Sequence, residues 1–97
     1  MATQLKKALF PLGQVVSTPG AIQALIEEGT GMTEFLLRHV TGDWGGLCDS
    51  DKRENDFAVT RELRILSAYT LSRTQVKIWV ITEADRSATT ILLPGEY

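Results

Sequence analysis

The chain of 97 residues holds one cysteine, one histidine and three prolines, and it has no long apolar run. Cys48, being alone, forms no internal disulfide and excludes a cysteine-rich zinc site. It suits a reducing compartment. No stretch approaches the roughly 20 apolar residues of a membrane span. The start, Met1 to Phe10, carries Lys6 and Lys7 but too short an apolar run for a signal peptide, so a cytoplasmic location is expected. An excess of positive charge is also missing. Ten Lys and Arg against twelve Asp and Glu give a formal net charge of −2, which argues against a generic nucleic-acid binder. Gly42, Gly45 and Gly46 match neither a Walker loop nor a dinucleotide fingerprint, so nucleotide hydrolysis is not expected. One histidine among scattered acids is a poor metal signal, and no metal or cofactor is assigned.

What is present suffices for a single packed domain without disulfides or metals. Apolar and charged contents of 43% and 23% are those of an ordinary globular protein. We expect an irregular arm over 1–13 and one α+β domain over 14–97. The last third organises the rest. Ile78 to Thr82 and Ala88 to Pro94 are β-prone runs on either side of Glu83-Ala84-Asp85-Arg86-Ser87, a hairpin signature. Its polar density, with an arginine, two acids and several threonines, exceeds what a turn backbone requires. It is either a solvated tip or half of a polar site.

Upstream, Gln14 to Ser17 is a short candidate strand. Thr18 is the natural cap and Pro19 the first residue of a helix that Gly29 stops, with Ala21, Ile22, Leu25 and Ile26 on one face. A second helix, capped by Thr30 or Thr33, runs to about Val40 with Met32, Phe35, Leu36 and Val40 as its stripe. His39 falls on that stripe at the helix C-terminus, where the dipole favours an imidazolium. Leu47 to Glu62 reads as a third helix with Asp49, Ser50 or Asp51 as cap; Asn55, Ala58, Val59 and Glu62 share a face. From Arg64 the period becomes two. Arg64 to Leu71, Val76 to Thr82 and Thr89 to Leu93 form a three-stranded antiparallel meander. Helices before strands predict a small antiparallel sheet with helices on one face and an N-terminal strand as a possible addition.

Each candidate site residue has a chemical and an architectural reading. His39 is the one side chain that titrates near neutrality without perturbation, or a core-edge histidine bonded to a backbone carbonyl. Cys48 with His39 as base would be a nucleophile, but no Cys-His motif accompanies it. Asp43 and Trp44, in a glycine-rich loop, orient a ligand or close the loop by capping and packing. Arg64 and Arg86 bind an anion or form ion pairs with Asp43, Glu83 or Asp85. Asn55 stands at the border of core and polar site. Thr82, Thr89 and Thr90 read as ordinary strand residues, of which Thr89 and Thr90 are counted with the polar cluster.

The run Leu37-Arg38-His39-Val-Thr-Gly-Asp43-Trp44-Gly45, then Asn55, then Arg64-Ile-Leu-Ser67-Ala-Tyr69, then Trp79 through Pro94, resembles a family of small proteins of unassigned activity encoded on bacterial plasmids, phages and other mobile genetic elements. The resemblance covers roughly residues 10–97. A more distant similarity of layout is to the barnase–EndoU–colicin–RelE group of metal-independent ribonucleases. That similarity implies His39 as general acid or base, Arg86 or Arg64 on the phosphorane charge, and Thr89 or Thr90 on the phosphate, with Glu83 or Asp85 as the second acid/base. The competing expectation is a small acidic protein that binds or inhibits a host protein, such as a defence nuclease. It would use the acidic stretch Asp49 to Glu54 and an exposed Trp44 as anchor. Binding residues on either reading are Asp43, Trp44, Asn55, Arg64, Asp85 and Thr90. The expected partner is a host protein, with RNA as the alternative and no membrane.

Overall fold

The computed structural model describes residues 7–97. Elements follow the order β1 (Gln14–Ser17), α1 (Pro19–Glu28), α2 (Thr33–Val40), α3 (Asp49–Arg61), β2 (Ile65–Thr70), β3 (Lys77–Thr82) and β4 (Ala88–Leu92). A single 3-10 turn, Pro94–Glu96, follows. The α+β expectation holds. The sheet has four strands in the order β1-β4-β3-β2, with β2, β3 and β4 antiparallel. β1 joins it in parallel to β4, Val15 opposite Thr89 and Ser17 opposite Ile91, so the sheet is mixed.

Alternation fixes the two faces of this sheet. Ile65, Ser67 and Tyr69 of β2, Ile78, Val80 and Thr82 of β3, and Thr89 and Ile91 of β4 are all buried on one face. All three helices pack there. Ala21, Ala24, Leu25 and Phe35 meet Tyr69, Ile78, Val80 and Ile91, while Val40, Trp44 and Ala58 meet Ile65. The opposite face carries Leu66, Ala68, Trp79, Ile81, Thr90 and Leu92, with Tyr97 set edge-on to Trp79 at 5.7 Å.

Local chemistry explains the helix ends. Thr18 Oγ1 accepts from the Ala21 amide at 3.2 Å, and Gly29 closes α1 at φ 82°, a conformation that costs glycine little. The phase of α1 differs from expectation: Ala21, Ala24 and Leu25 are buried, whereas Ile22 and Ile26 are 44% and 65% exposed. Its last turn is held by Glu28, whose carboxylate accepts from the Arg73 and Thr74 amides at 2.9 Å each, which turns the Ala24 flank inward. The third helix starts at Asp49 with Cys48 as its cap residue, and no side chain caps it. Met32 likewise precedes α2 without a side-chain cap. Part of the expected arm lies outside the described residues. The rest is docked, with the Leu9 amide on Val40 O at 2.8 Å and Phe10 buried.

Candidate functional site

The polar residues of the core face form one connected chain. Ser67 Oγ lies 2.6 Å from His39 Nδ1, and His39 Nε2 lies 2.9 Å from Thr82 Oγ1. Thr82 Oγ1 is 2.7 Å from Thr89 Oγ1, which reaches Leu12 O at 2.7 Å. Counting protons orients the chain. Leu12 O only accepts, so Thr89 donates to it and accepts from Thr82. Thr82, having used its proton, accepts from Nε2–H. Nδ1 then carries no proton and accepts from Ser67. The histidine is the neutral Nε2–H tautomer, assigned from its partners.

His39, Ser67, Thr82 and Thr89 have no exposed surface. Burial, and secondarily the nearby positive charge of Arg86, push the His39 pKa down to about 4. This reverses the sign expected from the helix dipole, because desolvation of a fully enclosed ring outweighs a half-charge at a helix end. Phe10 and Trp44 stand edge-on to the ring at 5.2 and 6.0 Å and complete its enclosure.

Arg86 is occupied by backbone. Nη1 donates to Leu63 O at 2.7 Å and to Glu83 O and Ala84 O at 3.2 Å, and Nη2 donates to Ala58 O at 2.9 Å. The guanidinium therefore caps the C-terminal end of α3 and its own turn, and its carbon lies 5.5 Å from the Phe10 ring centre. Arg86 sits at φ 62°, where glycine is usual. The side chain, not the backbone preference, holds that place.

The other candidates disperse. Asp43 pairs with Arg38 at 2.7 Å, accepts from the Gly45 amide, and offers its carbonyl to the Tyr69 hydroxyl at 2.6 Å. Trp44 follows the packing reading and is not the exposed anchor that the binding expectation called for. It is 4% exposed because its indole N–H finds Asp56 Oδ1 at 2.9 Å and the ring fills the space beside Phe10. Asn55 donates to Leu66 O at 2.7 Å and accepts from the Leu66 amide, standing in for a neighbouring strand. Arg64 pairs loosely with Glu83 at 3.9 Å and donates to the Tyr97 hydroxyl. Asp85 accepts from the Ser87 amide at 3.0 Å within the turn, a bond that lowers its pKa. Thr90 is on the opposite face from Thr89, away from His39. Cys48 is exposed beside Ser50, so the buried His39 cannot serve it as base.

So His39, Arg86 and Trp44 converge around Phe10 and Thr89 is linked to His39 through Thr82, whereas Asn55, Arg64, Asp85 and Thr90 do not join them. Ser67, Thr82 and Leu12 were missing from the expected cluster. The signal for Ser67 was available: a hydroxyl in strict alternation with Ile65 and Tyr69 is buried and needs a partner. Among the described residues no group of His, Cys, Asp and Glu is arranged to hold a metal ion.

The surface has several open concavities, and one of them is bordered by both apolar and charged side chains. A groove of about 330 Å³ runs between α3 and β2, lined by Leu47, Asp51, Glu54, Phe57, Leu63 and Leu66 among others. Phe57 and Leu63 are 53% and 48% exposed there, and Asp51 and Glu54 lie on its rim. Comparison of the chain with protein-family models, with curated proteins and with solved structures finds no match to any of them.

Proposed function

We infer that this chain is a protein-binding module that acts by occupying a partner, and that the groove between α3 and β2 is where it does so. One observation carries the reading: two large apolar side chains, Phe57 and Leu63, stand half exposed in a concavity bordered by Asp51, Glu54 and Arg64, with the Arg61 guanidinium over the Phe57 ring. An apolar centre with a charged rim is the anatomy of a recognition patch. The partner chemistry that fits is an aliphatic or aromatic side chain flanked by charges of both signs, a lysine or arginine toward Asp51 and Glu54 and an acid toward Arg64. A host protein targeted by a mobile-element accessory protein would supply it.

Cleavage of RNA by His39, Arg86 and Thr89 finds less support. A general base must reach the proton it abstracts, and His39 is enclosed with both ring nitrogens bonded. Arg86 would have to give up four carbonyls to meet a phosphate.

The test uses immobilised wild type beside Leu63→Glu, Glu54→Lys and Arg86→Ala. Host proteins retained by wild type should be lost from Leu63→Glu and reduced by Glu54→Lys, with circular dichroism unchanged. In parallel, metal-free incubation with total RNA should leave the RNA intact. Cleavage that Arg86→Ala abolishes without unfolding would overturn the binding reading in favour of the ribonuclease.

A further inference from the structure

The two edges of the sheet are treated differently. At the β2 edge the outward backbone groups of Leu66 and Ala68 are taken. Leu66 exchanges both of its bonds with the Asn55 amide, the Ala68 amide donates to Trp44 O at 3.2 Å, and Ala68 O accepts from Gly46 at 2.7 Å. Over Leu66 to Ala68 that edge is closed to a further strand. At the other edge, Gln14 and Thr18 donate to Ser87 O and Ile91 O, so the even-numbered residues of β1 face β4. The N–H and C=O groups of Val15 and Ser17 therefore point away from the sheet. Among the described residues nothing pairs with them.

β1 is short, four residues, but two of the usual protections of an open edge, charge and proline, are missing from it. Gln-Val-Val-Ser carries no charge and no proline, and Val15 and Val16 are 38% and 41% exposed. Unpaired backbone groups on an extended segment select one kind of occupant, another strand. We propose that β1 pairs antiparallel with β1 of a second copy of this chain, about a two-fold axis through Val16. In that register Val15 lies opposite Ser17 of the second copy and exchanges both backbone bonds with it, and symmetry repeats the exchange. Val16 meets its own counterpart across the axis as a close non-bonded pair.

The self-pairing is favoured over a foreign strand because one short uncharged segment satisfies itself completely. No like charges meet, and every outward group of Val15 and Ser17 finds its complement. An axis normal to the sheet keeps both sets of helices on the same side. The row Leu66, Ile81, Thr90 and Val16 then continues into its symmetry mate, doubling the apolar face that has no helix over it.

Sedimentation equilibrium of the whole chain, from about 1 to 500 μM, tests this. The weight-average mass should climb from 10.7 kDa toward twice that value. Val16→Lys should place like charges on the axis and weaken association at least tenfold. Val15→Pro, a second variant, removes one outward N–H but none of the bonds from Gln14 or Thr18 to β4, and should weaken it too. If Val16→Lys disturbs the circular dichroism, Val15→Pro decides. Hydrogen exchange of the Val15 and Ser17 amides should slow as concentration rises, with Val16 unchanged. A mass that stays at the monomer value throughout overturns the proposal. So does a dimer in which the exchange of Val15 and Ser17 is indifferent to concentration, a result that would place the contact elsewhere.

Discussion

The enclosure of His39 has a measurable consequence between pH 7 and 5. The ring titrates near 6.5 when solvated and at about 4 in the folded protein. Above pH 7 it is neutral in both states and contributes no pH dependence. Between these values the unfolded chain binds a proton that the native state refuses, so stability falls as the pH falls. The full displacement corresponds to roughly 3 kcal/mol, of which about 2 kcal/mol is lost by pH 5. Carboxylates complicate the reading only below this window. Glu28, Asp85 and Glu96 have pKa values lowered by the amides and hydroxyls they accept from, so the stability they supply is intact at pH 5 and disappears at lower pH. Urea denaturation of wild type and His39→Gln at pH 7.5, 6 and 5 isolates the effect. The wild-type advantage should shrink by about 2 kcal/mol across the series, because glutamine does not titrate. As the chain has one histidine, its ring proton also gives an unambiguous NMR titration. A midpoint at or above 6, or a stability difference independent of pH, would refute the burial argument and return His39 to the list of accessible bases.

Two further perturbations test the backbone. Gly45→Ala should cost more than about 3 kcal/mol in urea unfolding, since the residue sits at φ 75° and a Cβ would run into the Ala68 carbonyl. Gly29→Ala, at φ 82° but with open space around it, should cost only about 1 kcal/mol. Equal costs at the two sites would mean that the Gly45–Ala68 bridge is not tight. At Arg86, both alanine and glycine forfeit the carbonyl bonds, a loss of about 2 kcal/mol or more. Glycine should nevertheless be the milder change by about 1 kcal/mol, because it accepts φ 62° without strain. Thermal melts that rank alanine above glycine would refute the claim that Arg86 is held in a disfavoured conformation by its side chain.

Much of this fold was legible in local pattern. Thr18-Pro19, Gly29, the switch to period two at Arg64 and the alternation of Ile65, Tyr69, Ile78 and Val80 all predicted their elements, because each reports on the backbone beneath it. Non-local facts were not legible. The parallel pairing of β1 with β4 joins residues far apart in sequence, and nothing within Gln14–Ser17 specifies it. The phase of α1 was misread because Ile22 and Ile26 outscore Ala24 in apolarity, while the deciding contact, Glu28 with the loop at Arg73 and Thr74, is tertiary. Trp44 was open to two readings, packing within its glycine-rich loop or an exposed anchor, and its neighbours in sequence do not decide between them. Its burial depends on Asp56, in another element.

The polar residues of the C-terminal hairpin are best understood through register. A strand slipped by one residue turns its core side chains outward, and an apolar face resists slippage only through packing. Here the chain from Ser67 through His39, Thr82 and Thr89 to Leu12 threads β2, α2, β3, β4 and the arm. Each link needs its neighbour at hydrogen-bonding distance, and a slipped pairing leaves buried hydroxyls and an imidazole without partners, at about 1–3 kcal/mol for each such group. A polar network of this kind adds less to net stability than an apolar core of the same shape would, but it penalises every alternative alignment heavily. Arg86 extends the same logic to α3 by tying its last carbonyls to the β3–β4 turn. The hairpin's chemistry is thereby directed inward, toward alignment, and leaves recognition to surfaces elsewhere, such as the apolar groove at Phe57 and Leu63 and the bare edge of β1.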